Sequence, residues 1–236
     1  MIGADRALYA NHRRFLEAQR GALTTHDGFD IIHGDVPAFQ IALLHKAGVV
    51  QSARVQAAFI FAPPWADPGV EAAASRAYQL THMSLPSRAI PAGLPVDGLT
   101  VERVVDEAGL RAFTEIQTVG FAPDAAGHDE LFAWMWDKNQ RAFPMRDQHY
   151  YILRRVGEAV SVLLTVDTGN ALGIYAVATP RALRKQGLSS HLLGHVCAAA
   201  TGKHICLQVI RGSDAERLYT KLGFVERFVV NVYKTQ

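Results

Sequence analysis

The amino-acid sequence predicts an α+β fold in which a mixed central sheet is flanked by helices, with a smaller α/β region at the N-terminal end. From residue 98 onward, segments with strand-like alternation and segments with helical periodicity follow one another in the order β-α-α-β-β-β-α-β-α-β, which is typical of such a domain. Short turn sequences at Gly157 and at 167–170 separate three successive strand-like segments. Turns at such close spacing predict an antiparallel meander.

The N-terminal region begins with a predicted helix over 4–20, in which apolar residues recur at helical spacing before Gly21. A strand is predicted over 55–61, because two consecutive prolines follow this short apolar run. A second helix is predicted over 70–79, since it starts after an Asp-Pro pair.

Residues 86–98 contain three prolines and two glycines, a composition that favours a linker. The predicted domains are therefore an N-terminal region over 1–97 and a second domain over 98–236. Ser213 is the predicted N-cap of the last helix. In the second domain the predicted strands are 99–104, 150–154, 159–166, 171–178, 204–210 and 224–233, and the predicted helices are 106–119, 129–139, 188–200 and 213–222.

Composition excludes several classes of protein. The chain of 236 residues has 24 basic and 22 acidic residues and a net charge of +2, a balance that argues against a nucleic-acid partner. No apolar run is long enough to span a membrane, and the first residues lack the apolar core of a signal peptide. Cys197 and Cys206 are not in a CxxC pair, so we expect two reduced core thiols and a cytoplasmic protein.

One segment, Ala171–Ser189, has the pattern of a phosphate-binding site. An apolar strand is followed by a loop with Gly187, and a predicted helix begins directly after that glycine. The first N–H groups of a helix lack partners within the helix and attract anions, and a glycine lets a phosphate approach the backbone. Arg181, Arg184 and Lys185 add positive charge, although Arg181 and Lys185 are also consistent with a solvated surface.

This segment resembles the pyrophosphate loop of the GNAT superfamily of N-acetyltransferases, because it reads Arg184-x-x-Gly187-x-Ser189. Farther along, residues 215–224 read A-x-x-L-Y-x-K-L-G-F, which is similar to a second signature of that family in the same order. Ser189 stands where the family usually has Gly or Ala. Gly212 stands where the family often has an Asn that helps to hold CoA. Either the adjacent Ser213 substitutes for this Asn, or the contact is missing.

The resemblance implies a GNAT acyl-CoA N-acyltransferase fold with acetyl-CoA as cosubstrate and no metal. Tyr219 would protonate the departing CoA thiolate, and a backbone N–H near Val177 would meet the developing oxyanion. Backbone groups within 174–177 would bind the pantetheine arm, and backbone N–H groups within 184–189 would bind the pyrophosphate. The cofactor-binding residues implied in this way are Tyr175, Ala176, Val177, Arg184, Lys185, Gln186, Gly187, Leu188, Ser189 and Ser213.

The implied activity is transfer of an acetyl group from acetyl-CoA directly to a primary amine of a small molecule or an amino acid. A protein N-acetyltransferase and a non-catalytic CoA-binding regulatory module are the alternatives. The partners would be acetyl-CoA and an amine acceptor, and the resemblance leaves a homodimer open. Residues 1–97 resemble the degenerate companion region of two-part GNAT proteins, so we expect them to wall the acceptor site and to bind no CoA.

Several residues have a second interpretation. Outside the family context, Tyr219 is typical of a half-buried helix tyrosine without chemistry. His191 and His195 have a metal-ligand spacing, but Leu192 follows His191 where a zinc HExxH motif has Glu. Three aromatic residues fit either the core or an acceptor pocket, and three acidic residues are candidate general bases by residue type only. The aromatic residues are Phe132, Trp134 and Trp136, and the acidic residues are Asp129, Glu158 and Asp167.

Overall fold

A computed structural model describes residues 2–34, 40–54, 56–67, 69, 75–86, 98–122, 127–200 and 202–235. The helices are α1 (Ile2–Arg20), α2 (Val50–Arg54), α3 (Glu107–Phe121), α4 (His128–Ala142), α5 (Leu188–Ala199) and α6 (Asp214–Lys221). The strands are β1 (Ala22–His26), β2 (Phe29–His33), β3 (Ile41–Leu44), β4 (Phe59–Ala62), β5 (Ser75–Leu85), β6 (Leu99–Arg103), β7 (Gln148–Arg155), β8 (Glu158–Asp167), β9 (Ala171–Ala178), β10 (His204–Ile210) and β11 (Val225–Lys234).

Contacts within the chain divide it into two compact units. The first unit comprises Met1–Ser84 together with Leu207–Gln236, and the second comprises Leu85–Cys206. The C-terminal segment, with α6 and β11, therefore groups with the N-terminal third of the sequence.

In the first unit, the strands follow the order β1-β2-β3-β4-β11-β5. The first three strands form an antiparallel meander, and β4 runs parallel to β3. The last strand of the chain, β11, is antiparallel to β4 on one side and to β5 on the other, with Val232 opposite both Phe61 and Tyr78. Two strands from the N-terminal third thus supply both hydrogen-bonded neighbours of β11.

The core of the first unit is rich in aromatic side chains. Tyr233 of β11 is fully buried in a cluster with apolar residues of β2, β3 and β4, and its hydroxyl donates a hydrogen bond of 2.9 Å to Asp67. Tyr9 of α1 donates to the carbonyl oxygen of Phe61 at 3.0 Å. The ring of Tyr9 also packs edge-on against Trp65. These contacts fasten α1 and β11 to the same strand, β4.

Two histidines lie side by side in this core. The ring centroids of His12 and His82 are 5.2 Å apart, and His82 stacks on Phe228 at 4.4 Å. Burial lowers the pKa of His12 to about 3. Burial, together with the adjacent His12, lowers the pKa of His82 well below its ordinary value. Within the described part of the chain, neither ring nitrogen of His82 has a hydrogen-bond partner, so both rings are neutral in the folded protein at neutral pH.

In the second unit, β6, β7, β8 and β9 pair in this order as an antiparallel meander. Helix α3 begins at the N-cap Asp106, whose carboxylate accepts a hydrogen bond of 2.8 Å from the Gly109 N–H. Phe113 of α3 packs edge-on against Tyr150 of β7, with ring centroids 4.9 Å apart. The two helices α3 and α4 are joined by Asn139, which donates to Thr114 and Gln117.

The predicted fold class is confirmed, and so are the helix over 4–20, the antiparallel meander and the N-cap at Ser213. The predicted helix over 70–79 is wrong for 75–79, because these residues form the start of β5 and pair with β11; residues 70–74 lie outside the described residues. The short helix α2 was not predicted, and β4 is shorter than the predicted strand.

Most of the predicted linker also lies outside the described residues, and the boundary between 97 and 98 stays a prediction. No helix among the described residues has both the length and the apolar character needed to cross a membrane.

The position of β11 makes the second predicted domain dependent on the first. A fragment of residues 98–236 lacks β4 and β5, so its last strand would expose both edges and an apolar face. We expect this fragment to show no cooperative thermal transition by circular dichroism and a poorly dispersed amide NMR spectrum, whereas the full chain shows both features of a folded protein. A cooperative transition in the isolated fragment contradicts this expectation.

The buried histidines make the first unit sensitive to acid. Their pKa values are lower in the folded than in the unfolded chain. The free energy of unfolding is therefore at its full value above pH 6.5 and decreases as the pH falls. For His12 alone the loss at pH 5 is about 2 kcal/mol of unfolding free energy. In urea titrations at pH 7 and pH 5, we expect His82→Leu to reduce this difference and the exposed His204→Gln to leave it unchanged. An equal difference in both variants would exclude His82 as a cause.

Candidate functional site

The backbone of β9 departs from regular strand geometry just before the predicted phosphate-binding loop. Tyr175 pairs with Leu164, and Ala178 pairs with Val162. Between these pairs, two residues of β9, Ala176 and Val177, oppose one residue of β8. Ala176 has a φ of 50°, in the left-handed region. This is a β-bulge, and it turns the backbone of Ala176 and Val177 out of the regular ladder with β8.

The end of β9 is held by neighbours on two sides. The hydroxyl of Ser161 on β8 donates to the carbonyl oxygen of Ala178 at 3.0 Å. On the helical side, Gly120 of α3 lies so close that a Cβ there would be 2.8 Å from the Cβ of Ala178 and 3.2 Å from the Thr179 nitrogen. A glycine at this position is therefore required for α3 to approach the strand end.

Arg184 fixes the loop that follows. Its Nη2 donates to the carbonyl oxygen of Gly120 at 2.7 Å, and its Nε donates to the carbonyl oxygen of Thr179 at 3.2 Å. The side chain thus ties the loop to both α3 and the end of β9. The guanidinium and its positive charge therefore lie at the loop, and its N–H groups donate to two backbone carbonyl oxygens.

The loop backbone leads directly into the N-terminus of α5. A short 3₁₀ turn over Arg181–Leu183 is followed by Lys185 with a φ of 64° and Gly187 with a φ of 75°. Gly187 is the N-cap of α5 and, as a glycine, makes no side-chain capping hydrogen bond. The two left-handed residues turn the loop backbone away from an extended course, and the first N–H groups of α5, which lack partners within the helix, follow directly.

The loop therefore has the chemistry of an anion site. Residues 184–187 are exposed, while Leu188 is buried and anchors the first turn of α5. A Cβ built on Gly187 meets no atom within 4 Å, so the space beside the backbone is open at this position. The side chain of Gln186 accepts a hydrogen bond of 2.7 Å from Arg155, which adds a second guanidinium to the loop. These features fit the pyrophosphate of CoA.

Tyr219 and Ser213 lie on or beside α6, in the first unit. The Ser213 hydroxyl accepts a hydrogen bond of 3.2 Å from the Glu216 N–H and so caps the helix. Tyr219 is buried, and its ring packs edge-on against Phe224 at 5.8 Å. Burial raises the pKa of Tyr219 to about 12. The phenol therefore keeps its proton throughout the neutral and mildly alkaline range.

The structure thus divides the predicted site residues between the two units. The residues of β9, the loop and the start of α5 form one continuous segment in the second unit, whereas Ser213 and Tyr219 belong to the first. Ser213 has a structural role as a cap, and its predicted contact with CoA stays a prediction. Gly120 and Ser161, which fix the end of β9, were not predicted, because only the packing of α3 and β8 reveals them.

The structure also shows the surroundings of the aromatic and acidic residues whose role the sequence left open. Phe132 and Trp136 stack on each other, and the guanidinium of Arg111 lies 5.0 Å from the centroid of the Trp136 ring. Trp134 is 52% exposed, so it lies on the surface rather than in the core. Burial would raise the pKa of Asp167, but hydrogen bonds from Lys203 and from a backbone N–H lower it, which makes this carboxylate a weak base.

Among the described residues, no three or more His, Cys, Asp or Glu side chains lie together as metal ligands would.

The sequence comparisons find one matching family. Residues 111–224 match the model of the acetyltransferase (GNAT) family. The match begins in α3, includes the loop and α6, and ends just before β11. A match to this family supports acyl transfer from acyl-CoA in general. A comparison with curated proteins finds no matching sequence.

Solved structures share the fold over nearly the whole chain. A GCN5-related N-acetyltransferase from Kribbella flavida has a TM-score of 0.70 at 16% identity, covering 98% of this chain and 95% of its own. A functionally unknown conserved protein from Staphylococcus epidermidis has a TM-score of 0.67 at 12% identity, covering 90% and 93%. A tandem GNAT protein from the clavulanic acid biosynthesis pathway has a TM-score of 0.57 at 13% identity, covering 89% and 79%. At these identities, the likeness shows the fold alone.

The loop can be tested with a glycine pair. In Gly187→Ala the added methyl group projects into the space beside the loop backbone, and the left-handed φ costs about 1 kcal/mol of stability. The matched control is Gly202→Ala, because Gly202 has a φ of 74° and equally open space. We expect both variants to lose stability, but only Gly187→Ala to bind acetyl-CoA roughly tenfold more weakly.

The measurement is the shift in melting temperature with acetyl-CoA, free CoA and ATP. A ligand at 100 times its Kd stabilises the folded state by about 2.7 kcal/mol, which is readily visible. We expect both CoA species to stabilise the wild-type protein and ATP to have little effect. Equal binding of acetyl-CoA by the two glycine variants would show that the loop at Gly187 is not the site.

Proposed function

We propose that this protein is an acetyl-CoA-dependent N-acetyltransferase that transfers the acetyl group directly to a primary amine of a small molecule or an amino acid. The observation that carries this proposal is the uncapped N-terminus of α5, which follows the bulged strand β9 and a loop with two left-handed residues. Such an arrangement offers backbone N–H groups to a diphosphate. The GNAT family match supports acyl-CoA as the molecule that carries this diphosphate.

The reaction requires one bond to form and one to break. The amine nitrogen attacks the thioester carbon, the C–N bond forms, the C–S bond breaks, and the sulfur takes a proton from Tyr219. The amine loses its own proton to solvent, and a proton from solvent returns Tyr219 to its neutral form. The bulge at Ala176 places irregular backbone at the point where the resemblance assigns an oxyanion contact to the Val177 N–H.

Burial supports Tyr219 as the proton donor. A thiolate released in water has a conjugate acid with a pKa near 8.5, which is a poor match for a phenol of pKa about 12. Burial raises the pKa of a thiol as well, so a thiolate that is released away from water is a better match for the Tyr219 phenol.

The N-terminal region is proposed to be a degenerate GNAT-like companion that binds no CoA. Its elements repeat the order of helix, antiparallel meander, helix and strand that is seen again from α4 to β10. The helix after its meander, α2, has only five residues, and the loop before it lacks the Arg-x-x-Gly-x-Ser pattern. A tandem GNAT protein among the structural neighbours supports this interpretation. Two free buried cysteines support a reducing, cytoplasmic location.

A thiol-release assay tests the proposed reaction and its alternatives. Purified protein is incubated with acetyl-CoA and a panel of primary amines, amino acids and lysine-containing peptides, and free CoA is measured with a thiol reagent. Release with small amines supports the proposal, and release with peptides alone supports protein acetylation. Binding of acetyl-CoA without any release supports the non-catalytic alternative.

The role of Tyr219 is tested by Tyr219→Phe, which removes only the hydroxyl. We expect kcat to fall about 100-fold, because a general acid contributes on this scale, while the KM for acetyl-CoA changes little. Since the pKa of Tyr219 is about 12, this acid stays protonated from pH 7 to pH 10, and we expect no alkaline loss of kcat from it. The control is Tyr151→Phe on β7 of the second unit. A wild-type kcat in Tyr219→Phe rules out the acid role.

A further inference from the structure

One strand of the N-terminal third holds the segment that contains Tyr219 at both of its ends. Before α6, the N–H of Arg211 donates to the carbonyl oxygen of Gln79 on β5 at 3.0 Å. After α6, Val225 pairs with Ser84 at the start of the β5–β11 ladder. The chain therefore contacts β5 just before α6 and again just after it.

The same strand also reaches α6 between these two ends. The hydroxyl of Thr81, which is fully buried, donates to Oε1 of Glu216. The second carboxylate oxygen of Glu216 accepts a hydrogen bond of 2.6 Å from the Gly212 N–H. One carboxylate thus joins β5 to the loop before α6. The hydrogen bond from Thr81 contributes most to lowering the pKa of Glu216. Burial raises this pKa, whereas the Gly212 N–H and Arg211 lower it further.

Glu216 and Tyr219 are neighbours on the helix surface. Residues three apart in an α-helix lie on adjoining positions of one face, about 4.5 Å apart along the axis. A tether on Glu216 therefore fixes the height and rotation of α6 close to the Tyr219 side chain. The ring of Tyr219 packs against Phe224, and this contact constrains the ring less specifically than a hydrogen bond constrains Glu216.

We propose that Thr81 and Glu216 are positioning residues, which hold α6 so that the Tyr219 hydroxyl is in place to donate its proton. This inference rests on the proposed role of Tyr219. It gives the N-terminal third an indirect part in the reaction, since Thr81 acts on catalysis through Glu216 and Tyr219.

A double-mutant cycle in the thiol-release assay tests the proposal, with the best amine of the panel or with water as acceptor. Thr81→Val keeps the shape of the side chain and removes its hydroxyl. We expect it to lower kcat roughly tenfold, because misplacement of a reacting group has effects of this size or larger, with the KM for acetyl-CoA little changed. In the Tyr219→Phe background the same change should cost less than about twofold, because the two residues act as one unit.

Two further variants separate positioning from general stability. Thr81→Ser retains the hydroxyl, so it should restore kcat to near the wild-type value. Thr165→Val makes the same chemical change at a buried threonine of β8 whose hydroxyl has no hydrogen-bond partner among the described residues, so kcat should be unchanged. Melting temperatures of all variants verify that each is folded under the assay conditions.

The outcomes are distinct. A wild-type kcat in Thr81→Val, or an equal loss in both the wild-type and Tyr219→Phe backgrounds, overturns the positioning role and leaves the proposed reaction intact. If Thr81→Val does not fold, a normal kcat in Glu216→Ala overturns the proposal, and a loss that vanishes in the Tyr219→Phe background supports it. A wild-type kcat in Tyr219→Phe rules out the acid role and the positioning role with it, while acetyl transfer itself stands. No thiol release by the wild-type protein refutes the proposed function.

Discussion

The double pairing of β11 is the constraint on which the first unit depends. A strand with hydrogen-bonded neighbours on both sides is fixed in register by two ladders, so its position cannot shift without breaking both. Those neighbours, β4 and β5, come from the N-terminal third. The helix that leads into β11 carries Tyr219, and its location therefore depends on residues that precede it in sequence by more than a hundred positions. Folding of the C-terminal segment and placement of the proposed acid are consequences of the same pairing.

A second constraint is close approach of the backbone in the second unit. Glycine at position 120 lets α3 pack closely against the end of β9. The guanidinium of Arg184 then links helix, strand end and loop through two hydrogen bonds. Gly187, the N-cap of α5, makes no side-chain capping hydrogen bond, and we propose that the N–H groups of the loop and of α5 bind an anion. In this proposal the Arg184 side chain fixes the loop and the backbone binds the anion.

Burial sets the protonation states in both units. His12 and His82 are held neutral, while Tyr219 and the two cysteines are held protonated, and in each case loss of water around the group disfavours the charged form. For the histidines, the result is a stability that decreases in acid. For Tyr219, the result is a phenol that retains its proton throughout the neutral and mildly alkaline range.

The sequence by itself determined the fold class and most strands and helices of residues 98–236, because periodicity and turn residues are local properties. It also predicts the segment of the proposed anion site, because the GNAT signatures are contiguous. It failed at residues 75–79, where an alanine-containing segment with helical potential forms a strand, since pairing with β11 outweighs local propensity. The grouping of α6 and β11 with the N-terminal third, the need for Gly120 and the contact of Thr81 with Glu216 have no sequence signal. Each joins residues far apart in the chain, and only tertiary packing brings such residues within contact distance.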